Sequence, residues 1–192
     1  MQLQKIHLRF AVVLAIILVI AGIRLLNNFS THITPLANYS PLGAMALFGG
    51  AYFKGRIQPY IIPLLVLLMS DFILFLTVHK SYGNGFLYDG WYWVYGSYVL
   101  MGVAGKMIIR KISVRNIAMA IFVSVFIHWV ISDFGMWQSS NLYPYTSRGL
   151  ADCLTAAIPF ELRLLTATIV YSTIMFGTFE WLRKRYPVLQ TA

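Results

Sequence analysis

Acidic side chains are the scarcest feature of this 192-residue chain, with six Asp and Glu against fifteen Lys and Arg, and charged residues of both signs make up only 11%. Soluble domains carry roughly 25% charge, so a water-solvated surface of ordinary composition is excluded. Cysteine is nearly absent. Cys153 stands alone, which excludes an internal disulfide and any CxxC metal or redox pair. Internal repeats, low-complexity tracts, long polar linkers and a Walker motif are also missing, so one domain without its own nucleotide-binding module is expected. The sequence holds no HExxH, no GxSxG and no Cys and His at a readable catalytic spacing, and an enzyme is therefore not the expectation.

What fills the space is apolar. Hydrophobic residues make up 59% of the chain, and the mean hydropathy is +0.70. A chain of this size buries only about 70% of its unfolded surface on folding, so the surplus apolar groups call for lipid as their solvent. Apolar runs at about 10–26, 41–53, 57–78, 91–109, 117–136 and 161–182 predict an all-α membrane bundle of about six transmembrane helices forming a single domain over residues 1–192. The second run is short for a bilayer and rich in small residues. Gly43, Ala46 and Gly50 recur at helical spacing within it, which predicts close helix packing, most simply inside the bundle.

The formal charge of +9 does not point to nucleic acid, because the bases lie in short clusters between apolar runs without interleaved aromatics. They behave as topology signals. In a six-span arrangement Lys5, Arg9, Lys54, Arg56, Lys106, Arg110, Lys111, Arg115, Arg183, Lys184 and Arg185 fall on one side. Arg24, Lys80, Arg148 and Arg163 fall on the other, and these eleven and four make up all fifteen. The positive-inside rule then puts both termini in the cytoplasm of a multi-pass protein. Lys5 and Arg9 before an apolar stretch imitate a signal peptide, but no A-x-A site follows and Arg24 closes the run, so an uncleaved anchor is expected.

Polar groups at membrane depth are expensive and therefore informative. Asp71 follows Ser70 within Leu67-Leu-Met-Ser-Asp-Phe-Ile-Leu74, past the middle of the third span; it reads as a binding-site carboxylate or as a helix-packing one. His128 and Asp133 on the fifth span are five residues apart, about 140° around a helix, so they do not share one narrow face. Asp133 is the site candidate, and His128 reads more simply as a buried structural histidine than as a proton relay. Trp91, Tyr92, Trp93 and Tyr95 read as an interfacial aromatic belt. Between the last two spans a loop over Asn141–Leu150 and a short helix over Ala151–Ala157 are expected, with Pro159 ending or kinking that helix before the sixth span.

Several of these stretches resemble a known family. The runs Asn38-Tyr-Ser-Pro-Leu-Gly-Ala-Met-Ala-Leu-Phe-Gly-Gly-Ala-Tyr-Phe53, Ser70-Asp71 and Ser132-Asp-Phe-Gly-Met-Trp137, with Tyr143-Pro-x-Thr146, Gly149-Leu150, Cys153 and Ala157-Ile-Pro-Phe160, resemble the bacterial membrane family DUF6580, for which a transport role is implied. The resemblance covers roughly residues 24–182. In size and span number that family is similar to the S components of energy-coupling factor vitamin transporters, which implies a six-helix bundle with a pocket at its external face. Asp133 departs from the resemblance, which implies Asn in an (S/T)-N-F-G pattern.

The expectation is therefore uptake of a small, vitamin-like or cofactor-like solute across the bacterial cytoplasmic membrane. The candidate binding residues are Asn38, Ser40, Asp71, Asp133, Trp137, Tyr143, Tyr145 and Arg148, the last able to hold an anionic group. The expected partners are the lipid bilayer, the solute and, by the resemblance, an energy-coupling membrane subunit with its ATPases. No cofactor is expected, and Cys153 as a soft metal ligand is weaker than Cys153 as a packed side chain. Two other classes stay open, a membrane scaffold or assembly protein and an intramembrane enzyme using Asp71 and Asp133.

Overall fold

The computed structural model describes residues 2–29, 39–77, 87 and 90–190, and the side chains of all of these except 2–7 and 27–29. The described chain is an all-helical bundle without strands. Its helices are α1 (Gln2–Phe29), α2 (Leu42–Tyr52), α3 (Gln58–Thr77), α4 (Trp91–Ile108), α5 (Val114–Ser139) and α6 (Ser147–Arg185), followed by a short 3-10 turn, Pro187–Leu189. Six helices match the expected number. Four of them, α1, α3, α5 and α6, are long and apolar enough to cross a membrane.

The surface is inverted relative to a soluble protein. On α3, Ile61, Leu65, Met69, Phe72 and Leu76 form an exposed apolar stripe, while Pro63, Leu67, Ser70 and Leu74 turn inward. Both stripes have helical spacing, and the polar side chain lies on the inner one, as expected where lipid replaces water.

At the centre lies α2. Its 11 residues rise only about 16 Å, half of a roughly 30 Å hydrocarbon core. Every residue from Leu42 to Gly50 is buried, as is Tyr52. Small side chains allow this. A Cβ at Gly43 would meet Thr168 Oγ1 of α6 at 2.5 Å, and one at Gly50 would fall on the Gly102 carbonyl oxygen of α4. The Gly43, Ala46 and Gly50 face is thus consumed by contacts within the bundle. Phe48 completes the centre, packing on Tyr52, Phe176 and Phe179 with ring centroids 4.7, 5.3 and 6.0 Å away.

One end of the bundle gathers the bases. Lys106 donates to the Gly55 carbonyl at 3.3 Å, between Lys54 and Arg56 in the α2–α3 turn, Arg110 and Lys111 follow in the α4–α5 turn, and Arg115 lies in the first turn of α5. Arg9 stacks over Tyr52 and Phe179. Tyr52 donates to Glu180 Oε1 at 2.6 Å, and Arg183 pairs with Glu180 Oε2 at 2.7 Å. Removing the hydroxyl in Tyr52→Phe takes a buried donor from a carboxylate, a bond worth about 1.5–3 kcal/mol. The expected result is a melting temperature lowered by several degrees in detergent without loss of helix content, read by circular dichroism.

The α6 helix departs from the sequence expectation. The short helix and the sixth span are one continuous 39-residue helix, and Pro159 lies inside it. A proline removes a single i→i−4 bond, here to the Thr155 carbonyl, and packing against α5 on both sides of the interruption keeps the helix in register. The helix also starts earlier than expected, at Ser147, because Thr146 Oγ1 accepts from the Gly149 N–H at 3.1 Å and so satisfies one of the free amides of the first turn.

Candidate functional site

Asp71 anchors a polar cluster that joins three helices. Arg24 of α1 pairs with Asp71 Oδ1 through Nη2 at 2.6 Å and donates to Ser70 Oγ through Nη1. Tyr95 of α4 donates its hydroxyl to Asp71 Oδ2 at 2.9 Å. Ser70 in turn donates to the Leu67 carbonyl at 2.8 Å, and Trp91 meets the Tyr95 ring edge-on, 5.4 Å between centroids. Arg24 and Asp71 are 13% and 24% exposed at their side chains, so the pair is shielded but not sealed. Asp71 lies about 20 Å along α3 from Gln58, and Arg24 about 22 Å along α1 from Arg9. The cluster therefore sits in the half of the bundle away from the basic end.

Two members of this cluster were not legible as such. Arg24 reads in the sequence as a topology signal, yet it is the counter-ion of Asp71. Tyr95 reads as part of an aromatic belt, yet it is buried and bonded to the same carboxylate. Helical phase offered a signal. Tyr95 lies four residues after Trp91 and seven before the buried Gly102, spacings that keep all three on one side of the helix, whereas Tyr92 is exposed.

The other candidates lie elsewhere. Asp133 is on α5 beside α6, where Cys153 Sγ donates to the Asp133 carbonyl at 3.5 Å and the Trp129 indole N–H donates to the Leu154 carbonyl at 2.9 Å. His128 Nδ1 lies 2.9 Å from Glu161 Oε1 on α6. Although far apart on the helical wheel, His128 and Asp133 both reach the broad seam with α6, where Glu161 acts on both. Glu161 was not singled out from the sequence; a carboxylate two residues past an intramembrane Pro was its signal. Among the described residues α3 has no contact with α5 or α6, so Asp71 and Asp133 belong to different parts of the bundle.

Trp137, Tyr143, Tyr145 and Arg148 surround the α5–α6 turn. The Trp137 indole N–H donates to the Pro144 carbonyl at 3.0 Å, and the Tyr145 hydroxyl donates to the Gln138 carbonyl at 3.2 Å. Their rings meet nearly edge-on, 5.7 Å apart. Both side chains clasp the turn. Tyr143 is half-buried and Arg148 exposed. Ser40 sits at the start of α2, where its Oγ accepts from the Leu42 N–H at 3.4 Å, and Asn38 lies outside the described residues. Cys153 is buried, and among the described residues no three His, Cys, Asp or Glu side chains converge as a metal would require.

A helical bundle with apolar outer stripes, four helices of membrane-crossing length and two acid–base pairs, Arg24–Asp71 and His128–Glu161, shielded between its helices is the architecture of a polytopic membrane protein. The chain belongs to DUF6580, a family of unknown function, whose model matches residues 4–189. No curated protein and no solved structure matches it.

Proposed function

We propose that this protein binds a small solute in the half of the membrane away from its basic end and carries it into the bacterial cytoplasm, in the manner of an S component. The observation that carries the reading is the Arg24, Ser70, Asp71 and Tyr95 cluster, in which three helices converge on one partly accessible carboxylate. Arg24 supplies the counter-charge of that carboxylate, and Tyr95 is a neutral donor that a solute amine or hydroxyl displaces without leaving a charge unpaired. Ser40, at the head of α2, is the next candidate to touch the solute; Asn38, two residues before it in the sequence, is a candidate from the sequence alone.

The positive-inside rule orients the basic end toward the cytoplasm, so the site opens to the outside of the cytoplasmic membrane. In the S-component reading the energy is supplied by an energy-coupling membrane subunit with its ATPases, and a solitary transporter has the same membrane domain. The enzyme alternative loses support from the separation of α3 and α5, since a carboxylate pair needs Asp71 and Asp133 within reach of one substrate.

Native mass spectrometry with metabolite extraction tests the proposal on protein purified in mild detergent. A small molecule that travels with the wild type and is lost in Asp71→Asn supports it and identifies the solute. A stoichiometric second polypeptide, bound equally by wild type and Asp71→Asn with no small molecule, would establish the scaffold class instead.

A further inference from the structure

The α5–α6 seam holds three titratable side chains that solute binding at Asp71 does not use. His128 and Glu161 are 14% and 12% exposed at their side chains. Ser132 Oγ lies 3.4 Å from the same His128 Nδ1 that meets Glu161, and Asp133 follows one residue later. Two carboxylate oxygens here, Asp133 Oδ2 and Glu161 Oε2, are buried and have no hydrogen-bond partner among the described residues. Beside Glu161 runs an apolar groove of about 600 Å³ walled by Phe122, Phe126, Trp129, Ile158 and Leu162, which keeps the surroundings of the carboxylate apolar.

The contrast with Asp71 is chemical. There the carboxylate faces a guanidinium, a permanent cation. At the seam the groups facing the carboxylates, among the described residues, are the His128 imidazole, the Cys153 thiol on α6 and, from α4, the Tyr98 ring packed 5.3 Å from the imidazole. The nearest base in sequence, Arg163, stacks over the exposed ring of Phe160. The counter-charge for two buried carboxylates therefore rests on a group that ionises near neutral pH. With the imidazole neutral, the seam holds carboxylate charge without a cation; one added proton turns the His128–Glu161 contact, already at 2.9 Å, into an ion pair.

We propose that His128, Glu161 and Asp133 form a proton-binding site, which takes up one proton from water onto the imidazole, with no other bond made or broken. This goes beyond solute binding and does not depend on it.

The test is ¹⁵N-histidine NMR on the full chain in nanodiscs between about pH 5 and 9. The chain has four histidines, His7, His32, His79 and His128, and His128→Gln assigns the signal. The expected result is an imidazole that gains a second N–H within this range, with proton affinity about tenfold weaker, about one pH unit lower, in Glu161→Gln. Asp133→Asn is expected to shift it in the same direction by less, and serves where Glu161→Gln fails to fold. A His128 that keeps one neutral tautomer throughout, or that titrates identically in both variants, would overturn the proposal and make it a packing histidine.

Discussion

Gly50→Leu is expected to prevent recovery of a folded monodisperse protein, and Gly50→Ala to lower its melting temperature by several degrees. The reason is the position of α2. A Cβ at residue 50 falls on the Gly102 carbonyl oxygen and within 3.0 Å of the Lys106 amide nitrogen, so the obstacle is backbone rather than the end of a flexible side chain. The helix has nowhere to go. Gly43 is as closely packed against Thr168 of α6, and Phe48 is wedged against Phe176 and Phe179. Overpacking a rigid core costs about 1–3 kcal/mol for small additions, and three extra carbons beyond the Cβ exceed what a few tenths of an ångström of relaxation absorb. Gly96→Ala on α4 is the control, because nothing lies within 4 Å of a Cβ there; alanine's better helix propensity, about 1 kcal/mol, makes it neutral or stabilising. Size-exclusion profiles and thermal unfolding in one detergent check all three. If Gly50→Ala melts with the wild type, α2 is not held as tightly as its contacts imply.

The same packing explains how much could be read from the sequence. The helical class and the family were legible because long apolar runs and extended motifs are local properties. Which face of each helix turns inward was not. In lipid the outer stripe is as apolar as the inner one, as Leu65 and Met69 beside Leu67 and Leu74 show, so periodicity does not separate them. Asp71 could be located as a costly group, but its partner Arg24 lies 47 residues away, and Glu161 lies 33 residues from His128; nothing local joins either pair. Pro159 was expected to end or kink its helix, and α6 does not end there. Its breaking effect is a local rule, whereas the continuity of α6 comes from the contacts with α5. Trp137 and Tyr145 are binding candidates by sequence, but their polar atoms are occupied by the carbonyls of the turn, which sequence does not reveal.

Arg24→Met is expected to destabilise the protein more than Arg24→Met combined with Asp71→Asn. Removing the guanidinium alone leaves Asp71, among the described residues, with the Tyr95 hydroxyl as its donor at membrane depth, and stranding one member of a buried pair costs about 3–5 kcal/mol. The low end applies, because the Asp71 side chain is 24% exposed. Neutralising the carboxylate at the same time removes the stranded charge, and the side-chain amide that replaces it can still accept from Tyr95. Recovery of part of the lost stability, measured by thermal or denaturant unfolding of the four proteins of the cycle, gives the coupling energy directly. Equal losses in the single and double variants would mean that Arg24 acts through its packing rather than its charge. The double variant also separates folding from function. It retains a neutral, folded bundle but lacks both the carboxylate and its paired cation, so retention of solute by that variant would move the binding site away from Asp71, and loss of solute from a stable double variant would tie recognition to the charge pair itself.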